Sequence, residues 1–433
     1  MRVSRFLLAG VLSISLIVVG LPSAAGAGSD VDIARQTLPA NDGWGASATG
    51  TTGGVAADTD HVFEVTSRAE LVAALNDEDA TPKIILINGA IDANVDDTGN
   101  PLSCADYQTD GYSLEGYLEA FDPAVWGRSS VPSGPPEDAR RTSQQRQAAR
   151  VQIRLGSNTT IVGEGDDPRL VGMNLFANNV SNLIIRNLTV VDAFDCFPQW
   201  DPTDGATGNW NSQYDNISFR GVVHGWVDHV AFTDGDNPDS RQPVYFGRPF
   251  QVHDGELDIT NASDLITVSY NRFLDHDKVG LVGSSDSAQA DVDKLRVTYH
   301  HNLYRGVGQR TPRVRFGQVH VFNNLYIIDN PDTYLYSWGI GVQSHLFAEN
   351  NVFNTTGVGN DQIIRRFNGT AMHESGNVVN GDVVDLRAAY NASFDPSLAD
   401  DTSWTPSLVA HMDATAEVPE LVQRLSGPML SLP

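Results

Sequence analysis

Three arginines, Arg310, Arg313 and Arg315, fall within six residues of the stretch GQRTPRVRFG at 308–317, in a chain whose formal net charge is −26. Between 271 and 320 the balance reverses. Arg272, Lys278, Lys294, Arg296, Arg305, Arg310, Arg313 and Arg315 outnumber Asp275, Asp277, Asp286, Asp291 and Asp293, eight against five. A guanidinium is a planar fork of donors that matches a carboxylate or phosphate, so a basic island in an acidic chain points to an anionic ligand. Carboxylate partners are scarce nearby in sequence, so these arginines are expected to be left for that ligand. Strand alternation would put Arg313 and Arg315 on one face and Val314 on the other. Only Lys83, Lys278 and Lys294 are lysines. Lys278 ends a strand-like run in a chain that otherwise uses Arg, which marks a place where a compact ammonium is wanted.

Upstream stand Asp215 in QYDN and the pair Asp254 and Asp258 in HDGELDI. On neighbouring coils of a repeating chain, such carboxylates can converge on one point and form an oxygen site of the kind Ca²⁺ prefers. The spacing is not that of a helix-loop-helix calcium loop, and taken alone these aspartates are more often solvated turn residues than ligands. Asp234, Asp236 and Asp239 are read as solvated turn residues. Asp204 is either a carboxylate near the cleft or a turn residue.

What would hold these groups is a repeat. From 158 onward short runs alternate apolar and polar residues with the strand period of two: Asn158–Gly163, Asn182–Asn187, Trp226–Phe232, Leu265–Asn271, Leu295–Asn302, Val319–Asn324 and His345–Asn351. Asn302, Asn324, Asn351 and Asn377 recur at separations of 22, 27 and 26. That spacing predicts an all-β fold, a single-stranded right-handed parallel β-helix, with short capping helices and long loops. Stacked asparagines would bond from turn to turn, at positions that tolerate left-handed backbone. An antiparallel sandwich would place turns every 8 to 12 residues or so, and an α/β fold would need helices between strands, which 158–360 lacks. Helices are predicted at the edges: Ser67-Arg-Ala-Glu70 is a capping box before an apolar stripe, and Pro136–Arg150 is helical. The segment from about 100 to 135 reads as an elaborated loop.

Residues 1–27 read as a secretory signal peptide: Arg2 and Arg5, an apolar run from Phe6 to Leu21 broken by Gly10 and Gly20, then Ala25-x-Ala27. Residues 28–433 then form one domain with an N-terminal cap and a C-terminal covering segment. The expected product is secreted, extracellular and without a membrane span, since nothing later approaches the ~20 apolar residues a span needs. The acidity argues against nucleic acid as a partner, and a monomer is expected. Cys104 and Cys196 are the only cysteines. They could pair in an exported chain, but sequence does not give their distance.

WVDH at 226–229, HDGELDI at 253–259, VSYNRFLDHDK at 268–278, GSSDS at 283–287 and HHNLYRGVGQRTPRVRFGQVHVFNNLY at 300–326 closely resemble the pectate lyases of polysaccharide lyase family one. LPANDGW at 38–44 and FPQWDPTDGATGNW at 197–210 are similar to the subgroup typified by extracellular Bacillus enzymes. The likeness runs in order from about residue 35 to about 430. It implies a β-helix cleft that cleaves α-1,4-polygalacturonate (pectate) by β-elimination, leaving 4,5-unsaturated ends. It further implies Ca²⁺ held by Asp215, Asp254 and Asp258, uronate carboxylates bound by Lys278 and Arg315 with Arg313 assisting, and Arg310 in the position of the base. A pectin lyase acting on methylated polymer is the alternative, and the three aspartates argue against it.

Overall fold

The computed structural model describes Met1, residues 32–75 and residues 79–429. Apart from Met1, the signal-peptide reading over 1–27 lies outside the described residues. Ile33–Pro433 is one compact unit.

The strands pair into three parallel ladders. The first runs from Val62–Val65 and Lys83–Asp92 through Thr159–Val171, Ser181–Arg186, Val223–Asp228, Asp264–Ser269, Val297–His300 and Gln318–Phe322 to His345–Glu349 and Ala371–Ser375. The second stacks Thr189–Val191, Ala231–Thr233, Arg272–Leu274, Leu303–Arg305, Leu325–Ile328 and Val352–Thr355. The third stacks Gln152–Leu155, Asn174–Asn178, Ile217–Arg220, Leu257–Thr260, Leu281–Val282, Arg313–Val314, Trp338–Ile340 and Ile364–Arg366. Each coil contributes one strand to each ladder in turn, which is the predicted right-handed parallel β-helix. Its interior is a continuous apolar core. Phe232, Phe273, Tyr304, Tyr326 and Phe353 stack there coil upon coil, with ring centroids 4.9, 4.9, 4.8 and 4.2 Å apart.

The corner between the first and second ladders explains the recurring asparagines. The backbone N–H and Nδ2 of Asn271 both donate to Oδ1 of Asn302, and the same pair of bonds runs on to Asn324, Asn351 and Asn377, all at 2.9–3.1 Å. The left-handed backbone was expected at the asparagines themselves. It falls instead on the preceding residues, Tyr270, His301, Asn323, Asn350 and Gly376, which turn the corner so that each asparagine points inward. Asn324 is fully buried and also donates to the Tyr299 carbonyl. Asn324→Ala would strip the shared acceptor from Asn302 and a donor from Asn351, and is expected to cost about 2–4 kcal/mol, the five hydrogen bonds of this buried side chain being lost together. A urea unfolding midpoint equal to that of the parent would contradict this.

The helix Pro135–Val151 and the helix Arg68–Leu75 stand where expected. In the latter, Ser67 Oγ accepts from the Glu70 N–H at 3.3 Å, while Glu70 Oε2 reaches past Ser67 to accept from the Thr66 N–H at 2.8 Å. The segment 100–135 is not all loop. It contains the helices Cys104–Tyr107 and Leu114–Phe121, whose Tyr117 and Phe121 pack with Trp200, Trp210 and Phe250 in a satellite core. Cys104 and Cys196 are joined by a disulfide that ties this segment to the loop carrying the tryptophans. No helix among the described residues is long and apolar enough to cross a membrane.

Candidate active site

The predicted chemical groups gather along the third ladder and the turns that lead into it. Asp215 lies two residues before Ile217–Arg220, and Asp254 and Gly255 precede Leu257–Thr260, which carries Asp258. Gly255, Lys278 and Gln309 form successive parallel bridges, so Asp254, Lys278 and Arg310 arrive on neighbouring coils. One coil spacing is ~4.8 Å, short enough for side chains on adjacent rungs to interact.

Asp215 is buried. Its Oδ1 accepts from the Gly255 N–H at 2.9 Å and its Oδ2 from Ser218 Oγ at 2.5 Å. Asp258 Oδ1 accepts from the Leu281 N–H at 2.8 Å. A Cβ on residue 255 would stand 2.8 Å from Asp258 Oδ1 and 2.9 Å from Asp215 Oδ1, so only glycine lets both carboxylates close over that backbone. Burial, then the charges of Asp258 and Asp254, push the Asp215 carboxyl well above the usual range. Burial and Asp254 push Asp258 up to about 6. Asp254 behaves oppositely: burial raises it, but Lys278 and Arg310 outweigh burial and hold it low. Lys278 Nζ lies 2.9 Å from Asp254 Oδ1. Among the described residues no group of three or more His, Cys, Asp or Glu side chains stands ready-made around a metal position. The donors nevertheless fit a hard cation. They are all carboxylate oxygens; Asp215 is buried, Asp258 is half-buried, and both are raised by burial and by neighbouring carboxylate charge that a divalent ion would neutralise.

The three lysines separate cleanly in space. Lys83 is buried and donates to the Leu75 and Asp79 carbonyls, and Lys294 is exposed. Lys278 alone is buried at the carboxylates.

Arg310 is half-buried, in left-handed backbone (φ 63°), and its Nε has no hydrogen-bond partner. Burial lowers its pKa, but Asp254 and Asp258 more than offset this and raise it. Val314 is in the core, and Arg313 and Arg315 share the outer face as alternation predicts. The expectation that these arginines lack partners fails at Arg315. Its Nε meets Asp286 Oδ1 at 2.6 Å and its Nη1 donates to the Gly283 carbonyl at 2.8 Å, because the GSSDS loop leaves Leu281–Val282, the rung that pairs with Arg313–Val314. Arg313 instead lies over the Phe367 ring, 3.8 Å from its centroid.

Beneath the site is a group the sequence reading passed over. Asp234, read as a solvated turn residue, is buried and accepts from His276 Nδ1 at 2.7 Å. His276 Nε2 lies 2.8 Å from the Asp254 carbonyl and 3.1 Å from the Lys278 carbonyl. Two carbonyls and a carboxylate are all acceptors, so both ring nitrogens carry protons, and one imidazolium fastens the rungs of Asp254 and Lys278 together. Asp239 is also buried, accepting from the Val252 N–H, whereas Asp236 is exposed as expected. The reversal at Asp234 and Asp239 has one cause: histidines brought over by the coil supply the charge that water would supply at a surface. His276 sits in the HDK triplet, and that adjacency was the available signal. Asp204 is an exposed residue in the turn between Gln199–Asp201 and Asn209–Asn211.

The family description of pectate lyases matches residues 7–107 and 136–409. The chain belongs to the pectate lyase family. This pectate lyase family member is 47% identical to a pectate lyase of Bacillus subtilis (strain 168), over 96% of this chain and 98% of that one. It is 35% identical to pectate lyase E of Dickeya chrysanthemi, over 89% and 84%. Among solved structures it resembles a pectate lyase bound to a hexasaccharide, with 47% identity, a TM-score of 0.89, and 92% of this chain and 100% of that one covered. A second, described for its substrate specificity and anti β-elimination mechanism, gives 47%, 0.89, 92% and 99%. As a member of the Bacillus-type group of pectate lyases, the chain is a polysaccharide lyase.

Proposed function

We propose that the protein is a secreted, calcium-dependent pectate lyase that cleaves α-1,4-polygalacturonate by β-elimination, working as a monomer, with Arg310 as the base. The observation that carries this reading is the line of Asp215, Asp254, Asp258, Lys278, Arg310 and Arg315 along the third ladder and its entry turns. The relative described with an anti β-elimination mechanism supports it.

The chemistry sets the demand. The proton on C5 of a galacturonate lies beside a carboxylate, and its removal adds negative charge next to an anion. Calcium held by Asp215, Asp254 and Asp258 would supply a hard divalent charge against that anion. Lys278 and Arg315 bind uronate carboxylates and fix the sugar over Arg310, with Arg313 alongside. Arg310 takes the C5 proton, the electron pair forms the C4–C5 double bond, and the C4–O bond breaks, its oxygen taking a proton from solvent. Arg310 rests with its proton held by Asp254 and Asp258 against burial. Once those carboxylates are neutralised, burial remains and favours the free base.

A pectin lyase would meet a neutral, esterified polymer that gives these charges nothing to answer. Following ultraviolet absorbance of the unsaturated product on polygalacturonate and on highly methylated pectin tests the proposal. Faster reaction on the demethylated polymer is expected, and a preference for the ester would overturn the reading.

A further inference from the structure

Among the described residues the buried arginines of this acidic chain each have a carboxylate of their own: Arg140 has Glu137, Arg186 has Asp228 and Arg315 has Asp286, and the half-buried Arg296 has Asp264. Arg313 and Arg365 are different. Among the described residues neither has a carboxylate within ion-pair distance, and both meet the same ring instead. The Arg313 guanidinium is 3.8 Å and that of Arg365 5.4 Å from the centroid of Phe367.

Their placement is fixed by register. Arg313 pairs with Gly339, and Gly339 pairs with Arg365, so the two arginines stand two rungs apart on one row of the third ladder with a glycine between them. That glycine is needed. A Cβ at 339 would lie 2.8 Å from Arg313 Cγ and 3.0 Å from the Tyr336 ring, so any side chain would lift Arg313 from its course along the row. The result is a bare floor flanked by two guanidiniums and backed by a half-buried phenyl ring. Arg313 is also crowded by like charge: burial, then Arg315 and Arg310, bring its pKa down to about 10. Two cations on one ring, neither with a carboxylate within ion-pair distance among the described residues, are positioned to take an anionic group.

We propose that Arg365, seated on Phe367 and across Gly339 from Arg313, forms a further subsite, which binds the carboxylate of a uronate residue lying beyond the one held at Lys278 and Arg315 with Arg313 alongside. This rests on the polyuronate reading above and deepens it, for it makes Arg365 a determinant of chain-length preference. The ladder rises ~4.8 Å per coil, so a polymer following the cleft passes Arg313 and then Arg365. Only chains long enough to span from Arg310 to that row gain the contact.

The test is kinetics on galacturonate oligomers of defined length, trimer to hexamer, with the full-length protein. In the parent, kcat/KM rises with length. In Arg365→Gln the gain between the shortest and longest oligomers is expected to shrink about two- to fivefold, the size of one exposed charge-assisted contact. kcat on saturating long polymer should be retained, and the dependence of KM on salt weakened. Arg365→Lys keeps the charge but loses the planar fork, and should fall between the two. Arg366→Gln is the control, since Arg366 Nε already donates to the Gly369 carbonyl at 2.7 Å. A length profile and salt dependence in Arg365→Gln identical to the parent's, with activity intact, would overturn the subsite and leave the activity standing. No unsaturated product from the parent would overturn the activity itself.

Discussion

Arg310→Ala abolishes turnover while leaving polygalacturonate binding largely in place. The expected loss in kcat is about 10³-fold or more, toward the upper part of what a positioned base contributes. Lysine at 310 should do no better. Its ammonium is a point charge on a different stem, and it would sit beside the same Asp254 and Asp258 that stabilise charge on Arg310. Binding persists because Lys278 and Arg315 are anchored independently, one on Asp254 and the other on Asp286 and the Gly283 carbonyl. The pH dependence has a definite sign. The base must lose a proton that the resting site holds above the usual arginine value, so the free-base fraction, and with it the rate, climbs into alkaline solution. Single-turnover ultraviolet absorbance paired with calorimetric binding of a hexagalacturonate separates the two effects. Robust turnover in both variants would refute the assignment.

Removal of calcium is the second large effect. A strong chelator should reduce product formation to background, and added Ca²⁺ should restore it; undiminished activity in chelator would reject the cofactor. Without substrate, Ca²⁺ should raise the melting temperature through preferential binding to the folded state. Asp215→Asn or Asp258→Asn should weaken that binding by at least the roughly 10- to 100-fold that losing a supporting residue costs at other metal sites. Asp258 is raised to about 6 from an ordinary value of 3.8, so the folded protein binds the extra proton between those values. Calcium must displace that proton, and also the proton that burial and the neighbouring carboxylates favour on Asp215, so affinity should rise with pH through about 6. An affinity unchanged between pH 5 and 7 would contradict this.

The parallel coil was legible because its signal is local and repeated. Each strand carries its own period of two, and each corner its own asparagine, so Asn302 through Asn377 announce the stack before any contact is known. The chemical groups were legible by type: one of only three lysines in a chain that otherwise uses arginine, and acids clustered where cations also gather. What could not be read were partnerships set by the closing of a coil. Asp286 reaches Arg315 across 29 residues and Asp234 reaches His276 across 42, and nothing in DGDNPDS distinguishes a buried acid from a wet one. The helix Leu114–Phe121 was hidden for a related reason. Its flanks are rich in Pro, Ser, Asp and Gly, and it is held by Trp200 and Trp210, which come from a loop more than 70 residues away.

The asparagine corner has a consequence for how such a chain can change length. Successive members are separated by 31, 22, 27 and 26 residues, yet each makes the same two bonds to the next. Extra residues are therefore absorbed outside the corner, in loops that bulge without disturbing the vertical seam. Shortening of the seam is quantised: removing the stretch that carries one corner asparagine would leave the amide before it without its acceptor, whereas excising a whole circuit would let the flanking amides rejoin. Loops vary freely, but the seam itself grows and shrinks by complete windings, and the groove gains or surrenders its floor one winding at a time.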